Sequence, residues 1–406
     1  MSEIYTKERL AELQALPLDE KIEITKDRIE DWYMQFSGNV YVSFSGGKDS
    51  TVLLHLVREM FPDVPAVFCD TGLEYPEVRQ HVREMKNVVI LRPKMTFPEV
   101  IKTYGYPMVS KEVAEAIYYA RRTTKTVTNR RIILSTRAST YEELTMVQAE
   151  KQSTADTFGG GTPRDNQETE RPARTPKQKQ DELTGHRFME GGVTKSRFNK
   201  EKWFKLAVYA PFKISHYCCS VMKKQPVKKY HRDSFRVPII GTMAEESNLR
   251  RQAWLKHGCN SFHSNDQKSQ PLSFWTEQDV LEYIRRFKLK IPSVYGDIVE
   301  DGCRLCTTGC QRTGCTFCAF GTHLEKGESR FQMLAKTHPK LYRYCIDGGQ
   351  WVDNPDYDPA ISKEPNEIGW IEWNPRKLWI PSKEGLGMGN VFDLANAIYD
   401  KEMWRY

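Results

Sequence analysis

The chain has 406 residues, with 60 Lys and Arg against 53 Asp and Glu, a formal charge of +7. At 39% hydrophobic and 28% charged residues it has the apolar content for a sizeable core, and no uncharged apolar run of the length a membrane helix needs. The charged N-terminus MSEIYTKERL lacks the apolar stretch of a secretion signal, so the expectation is a cytoplasmic protein. The mild positive excess suits a polyanionic partner, a nucleotide or a nucleic acid, and equally suits a plain soluble surface.

In chain order, residues up to about Trp32 read as helical, with Leu10, Leu13, Ile22, Ile24 and Ile29 as the apolar positions. Asn39–Phe44 is a short β-rich run and Thr51–Met60 a helix. Val64–Cys69 is a second strand, Pro76–Met85 a second helix and Val88–Leu91 a third strand. Strands alternating with helices predict an α/β fold, a doubly wound and mostly parallel sheet with right-handed crossovers. From about Thr123 to Lys200 the composition turns polar, and Thr154–Leu183 has few large apolar residues. Such a stretch buries too little apolar surface to offset its ordering entropy, so a flexible insertion is expected. Globular character returns at Trp203–Ile214, and Val237–Ile240 is a further strand. Trp275–Phe287 reads as an amphipathic helix with Thr276 as N-cap and Asp279 as a shorter capping-box partner. The expected division is 1–122 and 201–300 for two halves of the core, 123–200 for the insertion, 301–345 for a cysteine-rich segment and 346–406 for a loop-rich extension.

The chemistry concentrates at Ser43-Phe44-Ser45-Gly46-Gly47-Lys48-Asp49-Ser50-Thr51, between the first strand and its helix. Two glycines let backbone N–H groups approach phosphate oxygens, and the helix directs its positive end at the same anion. Ser43, Ser45, Ser50 and Thr51 add hydroxyls. Lys48 supplies a cation that tracks charge on a leaving phosphate, and Asp49 either caps the helix or helps hold Mg2+. The spacing is not that of a G-x-x-x-x-G-K-[ST] loop. The plain alternative is an ordinary Gly-rich turn. The second strand ends in Asp70-Thr71-Gly72, at the sheet edge where open α/β sheets take ligands. Asp70 there suits a ribose hydroxyl or the adenine amino group, the alternative again being a simple turn.

Ten cysteines are present. Cys303, Cys306, Cys310, Cys315 and Cys318 share one stretch, and Cys218 and Cys219 are adjacent. In a reducing compartment this clustering suggests metal or redox chemistry rather than disulfides. Cys303-x-x-Cys306 with Cys315-x-x-Cys318 is a four-thiolate zinc spacing. Cys69, Cys259 and Cys345 read as small buried hydrophobes.

SFSGGKDST, VFCDTGLEYPE, CCSVMKKQP, PLSFWTEQDVLEYI and TTGCQRTGCTFCAFG together resemble the phosphoadenosine-phosphosulfate (PAPS) reductase family of the PP-loop superfamily, in its bacterial and phage-borne branch. The resemblance covers about Asn39–Glu112 and Ala210–Cys345. It implies a Rossmann-like adenine nucleotide α-hydrolase fold and a cysteine-rich helical C-terminal part. It implies ATP, PAPS or adenylylsulfate as the nucleotide, with Mg2+. Cys218-Cys219 with Cys315-x-x-Cys318 is similar to the [4Fe–4S] ligand pattern of adenylylsulfate reductases, and Lys223 to a lysine near that cluster. Cys219, Cys310, Cys315 and Cys318 make a second possible set. Iron–sulfur is favoured over zinc because zinc leaves the Cys-Cys pair unexplained; Cys303 and Cys306 fall outside the family pattern.

Two departures from the family stand out. Its Glu-Cys-Gly-Ile-His segment is not found; the chain ends DKEMWRY. Its Gly-Leu-Arg region appears as Gly241-Thr242-Met243, so that arginine is missing, and Arg250 and Arg251 follow as phosphate contacts, Arg250 being the one assigned. Reduction of PAPS itself is therefore placed second. The first expectation is adenylylation-coupled sulfur transfer, with Lys48 and Asp49 catalytic. PAPS or adenylylsulfate reduction to sulfite is the alternative, and a non-catalytic nucleotide- or nucleic-acid-binding subunit with a structural cluster or zinc is the third reading. A nucleic-acid sulfur acceptor and a sulfur- or electron-donor protein are the implied partners. Lys94, Lys111 and the run Lys223–Lys229 suit either phosphate contact or a solvated surface. Glu245, Glu246 and Ser247 suit a helix N-terminus, and His216 a satisfied core position.

Overall fold

Four short β-rich runs become strands where the sequence places them, β1 (Val40–Ser43), β2 (Ala66–Cys69), β3 (Val88–Leu91) and β5 (Val237–Ile240), and three two-residue strands that the sequence did not mark join them, β4 (Met108–Val109), β6 (Asn260–Ser261) and β7 (Lys268–Ser269). This is a computed structural model that describes residues 5–122, 176–189, 194–262, 267–357, 366–368 and 371–406. Two compact units are resolved, Met1–Phe97 with Cys219–Thr316, and Pro98–Cys218 with Phe317–Tyr406.

The first unit is built on one sheet in the order β3-β2-β1-β5-β7-β6. Every neighbouring pair is parallel except β6–β7 at the edge. The helices Lys48–Met60 and Pro76–Glu84 carry the chain from β1 to β2 and from β2 to β3, as parallel pairing requires. β1 lies between β2 and β5, so the chain leaves its two sides in opposite directions and the loop after β1 sits at the topological switch point. The N-terminal helical stretch is two helices, Lys7–Ala15 and Leu18–Gln35, parted at Leu16–Pro17. Pro17 lacks the N–H a continuous helix would need. The second of these buries Ile29 and Trp32 completely. Its Lys21, 2% exposed, donates to Asp279 Oδ2 at 2.7 Å. Asp279 also completes the expected capping box, accepting from Thr276 N at 2.7 Å at the start of the helix Glu277–Phe287.

The second unit gathers β4, paired in parallel with Ala319–Phe320, around a set of helices. Arg121 is its main internal anchor. The guanidinium donates to four carbonyls, Leu206 at 3.1 Å, Ala207 at 2.7 Å, Ala210 at 2.9 Å and Phe212 at 2.6 Å. Three of these belong to the end of the helix Phe204–Tyr209 or to its cap; Leu206 O also accepts from Ala210 N at 3.2 Å, while the last turn of a helix leaves later carbonyls without intrahelical partners.

Two sequence expectations differ from what is observed. Residues 123–175 and 190–193 of the expected insertion lie outside the described residues, but the rest is packed. The helix Pro176–Thr184 buries Lys179, Glu182 and Leu183. Glu182, with a fully buried side chain, holds Lys200 Nζ at 2.8 Å and Arg187 Nη1 at 2.5 Å, and Lys179 pairs with Glu115 at 3.1 Å. Paired charges fill this interior, which a count of apolar residues does not register. The stretch from residue 346 is likewise more than a loop-rich cover. Gln350–Asp353 pairs antiparallel with Lys377–Ile380, and Met388–Tyr399 is a helix that buries Val391, Phe392, Leu394 and Ala395. Its sequence, MGNVFDLANAIY, is apolar on nearly every face, as a helix enclosed by protein must be.

Candidate functional site

β1 ends at Ser43, and the helix begins at Lys48, three residues before the sequence placed it. The bend between them needs Gly46. Its φ is +73°, and a Cβ there would lie 2.7 Å from Val82 Cγ2 and 2.8 Å from Val78 Cγ1. Left-handed backbone and close approach both select glycine. Gly47 has ordinary extended backbone (φ −82°) and is the helix N-cap without a side chain to cap it. The loop's hydroxyls turn inward. Ser50 Oγ and Thr51 Oγ1 each donate to Gly47 O at 3.0 Å, and Ser50 Oγ also accepts from Ser45 N at 3.2 Å. Ser45 Oγ accepts from Gly47 N at 3.3 Å. These bonds fix the loop's shape. They also commit the Ser50 and Thr51 hydroxyls to the first turn of the helix rather than leaving them open above it. Thr51 Oγ1 further meets His81 Nε2 at 3.3 Å, and burial lowers the His81 pKa.

Lys48 is 3% exposed. Burial alone would lower its pKa, but Asp49, Tyr295 and Glu277 outweigh it and the net shift is upward, so the ammonium stays charged. Its Nζ lies 3.1 Å from Glu277 Oε1 and 3.7 Å from Asp49 Oδ1, and it donates to Gln311 O at 3.1 Å. Burial raises the Asp49 carboxyl pKa against the pull of Lys48. Asp49 Oδ1 is buried without a hydrogen bond. Arg250 and Arg312 both act on Asp49 electrostatically or through one another. Arg250 itself is paired with Glu246, while Ser247 caps the helix Asn248–His257 by accepting from Arg250 N at 3.3 Å. Asp70 accepts from Arg79 Nη2 at 3.0 Å and from Gly72 N at 3.3 Å, and Thr71 Oγ1 donates to Glu74 at 2.7 Å. The strand end is therefore internally bonded, with Gly72 at φ +76°. Lys94 and Lys111 are exposed.

Three contacts were not legible in the sequence. Tyr295, Gln311 and Thr313 all meet the loop, and the sequence reading assigned none of the three a role there. Tyr295 hydroxyl accepts from Lys48 N at 3.2 Å and lies 2.7 Å from Thr313 Oγ1. The available signal was the polar Gln-Arg-Thr-Gly between Cys310 and Cys315.

The cysteines divide between the units. Cys219, Cys310 and Cys315 belong to the first, Cys218 and Cys318 to the second. In the first unit Cys315 and Cys219 interact electrostatically, and Lys223 is hydrogen-bonded to the Cys315 thiol. Burial raises the Cys315 pKa and Lys223 opposes it; for Lys223, Cys315 and Glu74 outweigh burial and the shift is upward. Lys223 reaches this place through a π-type turn, Ser220–Lys224, in which Gln225 N bonds to Ser220 O. Pro226 follows and offers no N–H to an α-helical ladder, which accounts for the wider turn. Cys69, expected as a plain buried hydrophobe, belongs to this group: burial and Glu74 push its thiol up to about 11, with Lys223 opposing. Cys259 and Cys345 are buried as expected. Cys310 is tied to Tyr75 rather than to the Cys315 group. Cys303 is at the tip of the hairpin Ile298–Asp301/Arg304–Thr307 and Cys306 on its second strand. Among the described residues, no three His, Cys, Asp or Glu side chains gather in a metal-holding group. No described helix is long and apolar enough to cross a membrane.

Known proteins share parts of this arrangement. A family model, the phosphoadenosine phosphosulfate reductase domain, matches residues 39–139 and 162–319. An uncharacterized protein of Methanocaldococcus jannaschii is 38% identical over 85 residues, 20% of this chain and 18% of that protein. An adenosine 5'-phosphosulfate reductase of Bacillus cereus is 28% identical over 79 residues, 18% of this chain and 34% of the reductase. The chain thus spans about a third or less of the length of these relatives. A PAPS reductase structure from Candida auris covers 75% of this chain at 12% identity with a TM-score of 0.32, too loose to bear on the fold. The family match takes in more than half of the chain, from the strand before the glycine loop through the last of the clustered cysteines, and on that ground the chain belongs to the phosphoadenosine phosphosulfate reductase domain family.

Proposed function

We propose that this chain is an enzyme that holds the phosphates of an adenine nucleotide over Ser45–Ser50 and uses it in sulfur chemistry. The observation that carries this reading is the Gly46–Gly47 turn at the switch point of a parallel sheet, followed at once by a buried, charged Lys48. Backbone N–H groups and the helix terminus there favour an anion, and Lys48 keeps its charge for a phosphate that becomes more negative as a bond breaks. Asp49 Oδ1, buried and without a hydrogen bond, is the oxygen available to Mg2+. Asp70 and Gly72, at the end of β2, are the proposed nucleoside contacts, and Arg250 a further phosphate contact.

The finer reading is attack on the α-phosphate of ATP, departure of pyrophosphate toward Lys48, and displacement of adenylate by a sulfur species. The second reading follows the relatives' names: a thiol reduces adenosine 5'-phosphosulfate or its 3'-phosphorylated form to sulfite. Two measurements separate them, pyrophosphate release from ATP and sulfite release from either sulfated nucleotide with a thiol donor. Gly47→Asp places bulk and negative charge where phosphate is to sit and should abolish binding of both nucleotides; unchanged affinity would reject the loop.

A [4Fe–4S] cluster is proposed on Cys218, Cys219, Cys315 and Cys318, with Cys310 as a substitute ligand. The support is the Cys219–Cys315 pair beside Lys223, whose charge favours thiolates. No set of three such ligands is assembled among the described residues. Anaerobic purification with iron and sulfide analysis tests it: iron retained in full by Cys315→Ser would reject Cys315 as a ligand, and zinc in place of iron would reject the cluster.

A further inference from the structure

The nucleotide loop is already occupied by its own chain. Three features that a phosphate would use are each met by residues of the segment Ile291–Thr316. The Lys48 N–H, first amide of the helix, donates to Tyr295 hydroxyl at 3.2 Å. The Lys48 ammonium donates to Gln311 O at 3.1 Å. The space above Gly47, into which a Cβ would project, holds Tyr295 hydroxyl at 3.0 Å and Thr313 Oγ1 at 3.2 Å from that point. The two hydroxyls are 2.7 Å apart, so oxygen atoms stand around the loop much as the oxygens of one phosphate would. Tyr295 is 2% exposed and its ring lies 5.6 Å below the Lys48 ammonium.

The segment is tied together by main-chain hydrogen bonds. Cys310 N bonds to Val294 O at 2.9 Å, Gly309 N to Tyr295 O at 2.8 Å and Thr308 N to Asp297 O at 3.0 Å. Gly309 permits this pairing, since a Cβ there would meet Val294 O at 2.4 Å. The backbone of Tyr295 is thus tied directly to Gly309 and that of its neighbour Val294 to Cys310. On its outer side the segment is held by Gln278, which exchanges hydrogen bonds with Leu305 at 2.8 and 3.0 Å.

We propose that Tyr295, Thr313 and Gln311 form an internal plug that imitates phosphate in the anion cradle, and that a nucleotide binds by displacing it. The inference rests on the nucleotide reading of the loop. Its signature is the sign of a mutational effect. A tyrosine that contacts bound nucleotide would weaken binding when its hydroxyl is removed, whereas a competing plug strengthens binding. Losing one neutral hydrogen bond from the unbound state corresponds to roughly fivefold tighter binding.

The test is calorimetric titration of ATP into the wild-type chain and into Tyr295→Phe, Thr313→Ala and Gly47→Asp, each first checked for a single cooperative melting transition above the titration temperature. Tyr295→Phe and Thr313→Ala are each expected to bind ATP roughly fivefold tighter, with Gly47→Asp not binding. If Gly47→Asp loses ATP while Tyr295→Phe and Thr313→Ala bind it equally or more weakly, the plug is overturned and the loop reading stands. If Gly47→Asp binds ATP like the wild type, the loop reading fails and takes the plug with it. Should Tyr295→Phe not fold, Thr313→Ala decides by the same sign.

Discussion

Replacing each loop glycine by alanine separates two roles that look identical in the sequence. At Gly46 the added Cβ meets Val82 Cγ2 at 2.7 Å and Val78 Cγ1 at 2.8 Å, on backbone at φ +73°. Left-handed backbone costs a residue with a Cβ about 1–2 kcal/mol, and forcing an extra methyl into packed side chains about 1–3 kcal/mol. Gly46→Ala should therefore destabilise the first unit by about 2–5 kcal/mol, a large share of a typical domain's stability. At Gly47 the backbone is ordinary and the nearest atoms are the hydroxyls of Tyr295 and Thr313 at 3.0 and 3.2 Å. These are ends of side chains and need yield only slightly. Alanine also restricts the unfolded chain, which offsets part of the cost, so Gly47→Ala should change stability by less than about 1 kcal/mol. Urea unfolding followed by tryptophan fluorescence measures both, because Trp32 and Trp275 are fully buried in this unit. A Gly46→Ala midpoint equal to the wild type, or a Gly47→Ala loss larger than that of Gly46→Ala, would refute the steric account of the turn.

Arg121→Met should lower the melting temperature of the second unit sharply: the carbonyls of Ala207, Ala210 and Phe212 lose the guanidinium donor at once, and Leu206 O keeps only Ala210 N, and unsatisfied buried carbonyls cost about 1–3 kcal/mol each before relaxation. A calorimetric transition unchanged from the wild type would contradict this. Lys21→Ala leaves the Asp279 carboxylate without its cation, and since Asp279 is 13% exposed the loss should fall at the low end of the range for broken buried pairs, about 3 kcal/mol; a double-mutant cycle with Asp279→Ala reads the coupling. Acidification should destabilise the protein. Burial lowers the pKa of His55, His81 and His323 below the ordinary 6.5, so the unfolded chain takes up protons first. Their contribution is fully present above pH 6.5 and is lost as the pH falls from there toward the lowered values. Urea midpoints at pH 7.5 and 5.5 test the sign, and a higher midpoint at pH 5.5 would reject it.

Local features were legible because their causes are local. The alternation of apolar runs with amphipathic stretches marks β1 to β3 and their helices, since side-chain periodicity decides which backbone can bury them. Two adjacent glycines between a strand and a helix identify the turn, and Thr276 with Asp279 identifies a cap, for the same reason. Other features depend on residues that meet only in the folded chain. Tyr295, Gln311 and Thr313 lie about 250 residues from the loop they cover, and although Gln311 and Thr313 stand in a marked cysteine-rich stretch, nothing in it says which part of the chain they meet. The helix Pro176–Thr184 folds in a polar stretch because Lys200, Arg187 and Lys179 find Glu182 and Glu115, and charge pairing across a chain leaves no periodic trace. Cys69 joins Lys223, Glu74 and Cys315 through the adjacency of β2 to the turn after Cys219, a contact made by sheet order. Residue type and spacing thus determined the elements and the chemistry of the loop, whereas long-range packing decided which side chains face it, because a hydrogen bond or ion pair forms according to distance in space and not along the chain.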